Sequence, residues 1–251
     1  MQDMETSDLW LAGLKRLNSV VDSSGEPLVG NLCYDHLQED YVDSPPNPIL
    51  RSKRDRLRQA AEGCARMLEV GVNGGHSAYL ALTSNPELEF HGIDICEHAY
   101  VLPAAAHLEK EFPGRFFFYQ GDCLEVLPRL AKAGEKFDIF HIDGAKRTYL
   151  EDVFWCANMV ADESAKVIMD DTDQKELSWA WKVCTALQVI ETEPHFASMS
   201  SNTRYRNEVG VLRNLPSWKR PVLRAVVDAA ALAYRARKNV ETIAVRARTN
   251  S

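Results

Sequence analysis

Short apolar runs alternate with longer amphipathic stretches along this chain, and the alternation predicts its fold. Arg66–Val70, Glu89–Ile95, Phe116–Gln120, Phe137–Ile142 and Lys166–Met169 are runs of strand length. Between and after them, His76–Thr83, Tyr100–Glu111, Leu124–Ala133, Tyr149–Val160 and Glu176–Leu187 space their apolar residues as helices do. Strand and helix in strict succession imply a parallel sheet covered on both faces. Gln188–Thr192 and Tyr205–Leu212 read as two more strands without a long helix between them, which suits a closing antiparallel hairpin. The expected architecture is therefore α/β, a doubly wound, mostly parallel sheet of seven strands. Ahead of it, Asp8–Leu17 has helical spacing (Leu9, Leu11, Leu14, Leu17), Ser44-Pro-Pro-Asn-Pro48 is a break, and a helix is expected over about Arg51–Cys64. Behind it, Pro221–Val245 is predicted helical, with Val222, Val226, Ala229, Ala230 and Ala233 able to share a face.

Composition adds constraints. The chain has 251 residues, 45% hydrophobic and 26% charged, with a formal net charge of −7, an ordinary globular balance that argues against a general nucleic-acid binder. Arg213–Ser251 holds nine Lys/Arg against two Asp/Glu, a net +7, which leaves the rest at −14. Six scattered cysteines without a C-x-x-C pair fit reduced thiols in a cytoplasmic protein. The acidic start Met1-Gln-Asp-Met-Glu5 leads into no apolar run, so no signal peptide is expected, and no stretch is apolar enough to predict a membrane span.

Candidate chemistry gathers where strands end. The first runs into Glu69-Val-Gly71-Val-Asn-Gly74-Gly75-His-Ser77. Glycines allow a tight turn and close approach of a ligand to backbone, and the following helix start offers free N–H groups to an anion such as a carboxylate. The dinucleotide pattern G-x-G-x-x-G fails, because Asn73 and His76 occupy glycine positions, which weighs against a nicotinamide dehydrogenase. Asp94 ends the second strand, where an acid in doubly wound folds bonds ribose hydroxyls, and Gly121-Asp122-Cys123 follows the third. Asp94 and Asp122 also have plain readings, as a cap and a turn residue. The fourth strand ends in His141-Ile-Asp143-Gly-Ala-Lys146 and the fifth in Met169-Asp170-Asp171. Were these strands neighbours, their ends would lie roughly 5 Å apart. Asp143, Asp170 and Asp171 would then repel one another unless a cation, Mg²⁺ for an all-oxygen set, sat between them. The alternative is that Asp171 or Asp173 merely caps the next helix. Lys146 could be a solvated lysine at a helix start, and neither His76 nor His141 requires a catalytic role.

Glu69-x-Gly71-x-x-x-Gly75 resembles the turn that binds S-adenosylmethionine in class I methyltransferases. Asp143-Gly-Ala-Lys146-Arg-Thr-Tyr149-Leu150 is similar to the D-x-x-K-x-x-Y-L stretch of the catechol and caffeoyl-CoA O-methyltransferases, and Glu69–Ala78 to their E-x-G-x-x-x-G-x-S-A. Asp170-Asp171 departs from their Asp-Asn, and with His141-Ile-Asp143-Gly144 it looks more like the antibiotic-sugar O-methyltransferases. The resemblance spans about residues 64–185. It implies a Rossmann-like methyltransferase fold and transfer of a methyl group from S-adenosylmethionine to a small-molecule hydroxyl (vicinal diol, phenol or sugar). It further implies Asp143, Asp170 and Asp171 as ligands of Mg²⁺ or another divalent cation. Lys146 becomes the general base, with a pKa lowered by that cation. Glu69, Gly71, Gly75, Ser77, Asp94, Asp122 and Cys123 line the cofactor site. Gly144 and Ala145 stand where catechol-type enzymes place groups flanking the adenine. On this reading residues 1–50 are a helical extension or lid, 51–215 the catalytic domain, and 216–251 a basic helix through which the chain could form a homo-oligomer. A metal-independent N- or C-methyltransferase and a cofactor-binding scaffold without catalysis remain as alternatives.

Overall fold

A computed structural model describes residues 5, 7–199 and 205–249, with side chains in the last helix described through 236. Helices α1 (Asp8–Asp22) and α2 (Arg51–Ala61) precede β1 (Arg66–Val70), α3 (His76–Ser84), β2 (Glu89–Asp94), α4 (Val101–Glu111) and β3 (Phe116–Gln120). Then come α5 (Cys123–Ala133), β4 (Ile139–Ile142), α6 (Tyr149–Cys156), β5 (Lys166–Met169) and α7 (Lys175–Ala186). The chain closes with β6 (Ile190–Thr192), a short α8 (Pro194–Ser198), β7 (Glu208–Leu212) and α9 (Arg220–Thr249). The sheet order is β3-β2-β1-β4-β5-β7-β6. β1 to β5 run parallel, and β7 pairs antiparallel with both β5 and β6. The expected seven-stranded α/β sheet and its antiparallel end are thus present, with β7 inserted between β5 and β6.

The strands are covered on both faces, which explains their unbroken apolar character. Met67, Phe90, Phe116 and Ile139 face α1 to α4, while Leu68, Ile93, Phe140 and Ile142 face α5, α6, α7 and α9. α1 starts where the Ser7 side chain accepts the Trp10 amide, and buries Trp10, Leu14, Leu17 and Val21 in the core shared with α3 and α4. This stripe differs from the predicted one: Leu9 is 82% exposed, because the helix turns Trp10 inward instead. α9 differs in the same way. Leu223 and Val227 are buried, Val226 and Ala230 pack beside them, and Val222 is exposed. β4 begins at Ile139, since Phe137 forms only a parallel bridge to Val160, and that bridge also ends α6 at Cys156.

α2 was expected only as a helix entering the first strand, and its burial is unusual. Lys53, Arg54 and Arg56 are all buried. The Arg54 guanidinium donates to Glu5 and to the carbonyls of Leu32 and Asn47. Arg56 donates to carbonyls of Asn207, Phe196 and Met199. The helix is thereby tied to segments before and after it in the chain. Lys53 points to the sheet edge described next.

Candidate active site

The sheet's strand order reverses between β1 and β4, and the loops after β1, β2, β3, β4 and β5 gather around that point, the place where open α/β sheets bind ligands. Gly71 leaves β1 with φ +92°, and a Cβ there would lie 2.6 Å from the carbonyl oxygen of Asp143. Only glycine allows the two strand ends to approach this closely. Gly75 (φ +79°) starts α3 without any side-chain cap, so the first N–H groups of that helix keep their donors for something else. Asn73, Cys96 and Asp171 have positive φ without being glycine, each in a loop at a strand's C-terminal end. Such strain is retained where a site needs it.

Beside the turn lies a cleft of about 320 Å³. It is lined by Gly71, Asp94, Gly121, Asp122, Cys123 and Gly144, among others. The Asp94 carboxylate accepts the amides of Asn73 (2.9 Å) and Cys96 (2.7 Å), which fixes it at the cleft wall. Asp122 caps α5 by accepting the Leu124 amide and also lines the cleft, so its plain reading and its proposed one coexist. Ser77 opens onto a smaller hollow with Gly71, Asn73 and Asp143, roofed by Gly30–Leu32. The roof is held by the Asn73 amide group, which donates to the carbonyls of Val29 and Gly30. Ala145 joins Gly144 in the cleft wall, so no ring flanks it there.

The acids converge as expected from adjacent β4 and β5. A ligand atom from each of His141, Asp143 and Asp170 lies within 4.8 Å of the others. Two lysines enter this cluster. Lys53, 4% exposed, places Nζ 2.6 Å from Asp170 and 3.4 Å from Asp171. Lys146 places Nζ 2.5 Å from Asp171 and 3.7 Å from Asp143. Burial opposes the charge on both ammonium groups, but the neighbouring carboxylates outweigh it and hold both pKa values up. The lowered Lys146 pKa expected from the sequence is a property of the cation-bound site; the carboxylates by themselves hold it up. Burial and repulsion from Asp170 still push the Asp143 carboxyl up to about 7, so two lysines leave the cluster short of positive charge. Asp171 goes the other way: burial raises it, and the two ammonium groups more than reverse that.

Glu69 is not in the cleft wall. It lies fully buried opposite His141 in the β1–β4 register, with its carboxylate 2.6 Å from His141 Nδ1. Burial pulls the imidazole down, yet the bond to Glu69 wins and raises it to about 9. Tyr149, buried beside the cluster, receives a long hydrogen bond from Lys146 at 3.4 Å. Sequence reasoning missed Lys53 and gave His141 no part; the basic run Arg51-Ser-Lys-Arg-Asp-Arg reads as a solvated helix face, and only its abrupt apolar flank at Leu57, Ala60 and Ala61 hints otherwise.

Comparison with known proteins agrees with this geometry. Residues 68–172 match the model of a methyltransferase domain family. An O-methyltransferase from Bacillus cereus, solved in complex with SAH, superposes with a TM-score of 0.59 at 14% identity, covering 80% of this chain and 91% of that one. A putative caffeoyl-CoA O-methyltransferase from Staphylococcus aureus gives 0.56 at 13% identity, over 79% and 91%. The O-methyltransferase TomG from Streptomyces achromogenes, involved in tomaymycin synthesis and solved with SAM, gives 0.53 at 18% identity, over 83% and 91%. Comparison with curated protein sequences finds no match. Residues 68–172 are thus similar to a methyltransferase domain, and the chain has the α/β fold of the class I, S-adenosylmethionine-dependent methyltransferases.

Proposed function

We propose that the chain transfers a methyl group from S-adenosylmethionine to a hydroxyl of a small molecule, assisted by a divalent cation. The observation that carries this reading is the meeting of Asp143 and Asp170, with Asp171 joined to them through Lys146 and Lys53, at the edge of a cleft bounded by the glycine turn. In this reading the α3 N-terminus and Ser77 take the methionine carboxylate, Asp94 the ribose hydroxyls, and Asp122 with Cys123 the adenine end. The neighbours solved with SAH and SAM support the choice of cofactor.

The acid cluster suits a cation on its own chemistry. Asp143 stays undercompensated beside both lysines, and one buried imidazole nitrogen near it has no partner. Asp143, Asp170 and Asp171 would hold the ion, which supplies Lewis acidity that lowers the pKa of a substrate hydroxyl. Lys146 is placed to take the hydroxyl proton; as the charge on Asp143 and Asp171 is offset, the groups now holding its pKa up lose their effect. The bond to the methyl carbon forms from the substrate oxygen as the carbon–sulfur bond breaks. The strap Gly30–Leu32 covers the turn and limits water there.

A second reading has its own observation. Lys53 already places a positive charge 2.6 Å from Asp170, as a metal-independent methyltransferase would require. A methyl-transfer screen over catechols, other phenols and sugar diols, run with EDTA and with Mg²⁺ restored, separates the two. Transfer abolished by EDTA and recovered with Mg²⁺ is the expected result. Transfer unchanged in EDTA would establish the second reading, and no transfer to any hydroxyl would overturn both.

On the remaining surface, α9 docks on the body through Leu223, Val227 and the Arg224–Glu151 ion pair. We assign its distal, basic half to contacts between copies of the chain. No helix among the described residues is long and apolar enough to cross a membrane.

A further inference from the structure

The residue that the acid cluster leaves unexplained is His141. It lies in the middle of the sheet, on β4, with Glu69 of β1 beside it on one side and Ile168 of β5 on the other. Its side chain is 1% exposed. One ring nitrogen, Nδ1, is taken by Glu69 at 2.6 Å. The other, Nε2, has no hydrogen-bond partner, although neither it nor Glu69 can reach solvent. A buried imidazole nitrogen without a partner costs on the order of 1–3 kcal/mol. Its nearest polar company is Asp143 and Asp170, which share its face of the sheet at the strand ends. Lys53 and Lys146 both direct their ammonium groups to carboxylates and are not partners of the ring.

A carboxylate that binds one nitrogen of a histidine holds a proton on that nitrogen and orients the ring, so that a metal ion taking the other nitrogen displaces the proton there. Glu69, held buried and opposite His141 by the β1–β4 register, is in that position toward Nδ1. Resting on the metal-assisted reading above, we infer that His141 is a nitrogen ligand of the divalent cation, through Nε2, and that Glu69 is the positioning residue that orients its ring. The centre is then a mixed one, His141 with Asp143 and Asp170, rather than the all-oxygen set read from the sequence. An imidazole donor shifts preference away from Mg²⁺ toward Mn²⁺, Co²⁺ or Zn²⁺. The role also gives a purpose to two charged or polar side chains buried in the sheet, which otherwise only cost stability there.

Pulsed electron paramagnetic resonance of Mn²⁺ bound to the full chain tests this without an activity assay. In unlabelled protein the echo envelope should carry ¹⁴N modulation, and in protein grown with ¹⁵N-histidine it should change to the ¹⁵N pattern. His141→Gln should lose the nitrogen modulation and weaken Mn²⁺ binding at least tenfold. Glu69→Gln should retain the modulation with weakened binding. If His141→Gln fails to fold, the isotope comparison on the unsubstituted chain still decides. Mn²⁺ bound with no histidine modulation would overturn the ligand assignment and leave the metal-assisted reading standing. Failure to bind Mn²⁺ at all, at millimolar concentration, would overturn both.

Discussion

Lys53→Met removes one charge from the most crowded electrostatic region of the molecule while keeping the aliphatic stem. The consequence can be worked from the structure. Lys53 is buried, and its Nζ lies 2.6 Å from Asp170, which is itself 2% exposed, and 3.4 Å from Asp171. Deleting one partner of a buried pair leaves the other charge uncompensated, at a cost of about 3–5 kcal/mol. Two responses limit the loss. Asp143, already pushed up to about 7, can take a proton and relieve Asp170, and Lys146 can share its charge more widely. The first response is more complete at pH 6 than at pH 8, so the penalty should be smaller at pH 6. For a chain of this length, about 3–5 kcal/mol lowers Tm on the order of 10 °C. Urea denaturation of the two proteins at pH 6 and pH 8, with EDTA throughout, reads the effect directly. The m value should not change, since the surface exposed on unfolding is the same. A loss below about 1 kcal/mol at pH 8 would refute the reasoning, because it would mean that this ammonium does not neutralise the acids.

Other substitutions test separate parts of the account. Gly71→Ala adds a Cβ 2.6 Å from the Asp143 carbonyl at a φ of +92°, so it should destabilise by about 2–5 kcal/mol and abolish cofactor binding in calorimetry; near-native binding would show that the close approach is not required. Burial lowers the His76 pKa to about 4 from an ordinary 6.5, so its neutral ring contributes stability that is complete above pH 6.5 and lost as pH falls toward 4. Relative to His76→Gln, the unsubstituted chain should therefore lose about 2 kcal/mol more between pH 6.5 and 4.5, and parallel pH profiles for the two would contradict this. Asp152 is buried, accepts the Thr148 hydroxyl on one oxygen and has no partner on the other; burial raises its pKa to about 7. A raised carboxyl pKa favours the folded chain at low pH and loses that contribution as pH rises through 7. Asp152→Asn should then raise Tm at pH 8 and leave it nearly unchanged at pH 4, and a fall at pH 8 would count against a costly buried carboxylate.

Much of this architecture was legible in the sequence because it depends on local periodicity. Strand-length apolar runs between helical stretches are properties of neighbouring residues, as is the glycine turn after β1. The meeting of the β4 and β5 ends stood in the sequence only as a condition, because successive strands of β-α repeats need not be neighbours, as β3 and β4 are not. What escaped detection depends on distant partners. Lys53 is buried only because Asp170 and Asp171, more than a hundred residues later, fold over it. The pairing of Glu69 with His141 exists only because β4 crosses back beside β1. The helices α1 and α9 show a milder case: their existence was clear and Leu14, Leu17, Val226 and Ala230 pack inward as expected, but Trp10, Leu223 and Val227 are buried where Leu9 and Val222 were expected, since apolar residues on both sides of the true face leave the rotation undetermined. α8 is five residues long, too short to impose a period on the sequence.

The central claim is that an S-adenosylmethionine cleft and a cation centre adjoin at the C-terminal ends of β1, β4 and β5. A crystal structure grown with S-adenosylhomocysteine and Mn²⁺, with anomalous data collected for the metal, tests it in one measurement. The account predicts the nucleoside between Asp94 and Asp122, the amino-acid end over Gly71–Gly75, and one anomalous peak among His141, Asp143 and Asp170. A cleft without the nucleoside, or a metal peak away from those three side chains, would contradict it.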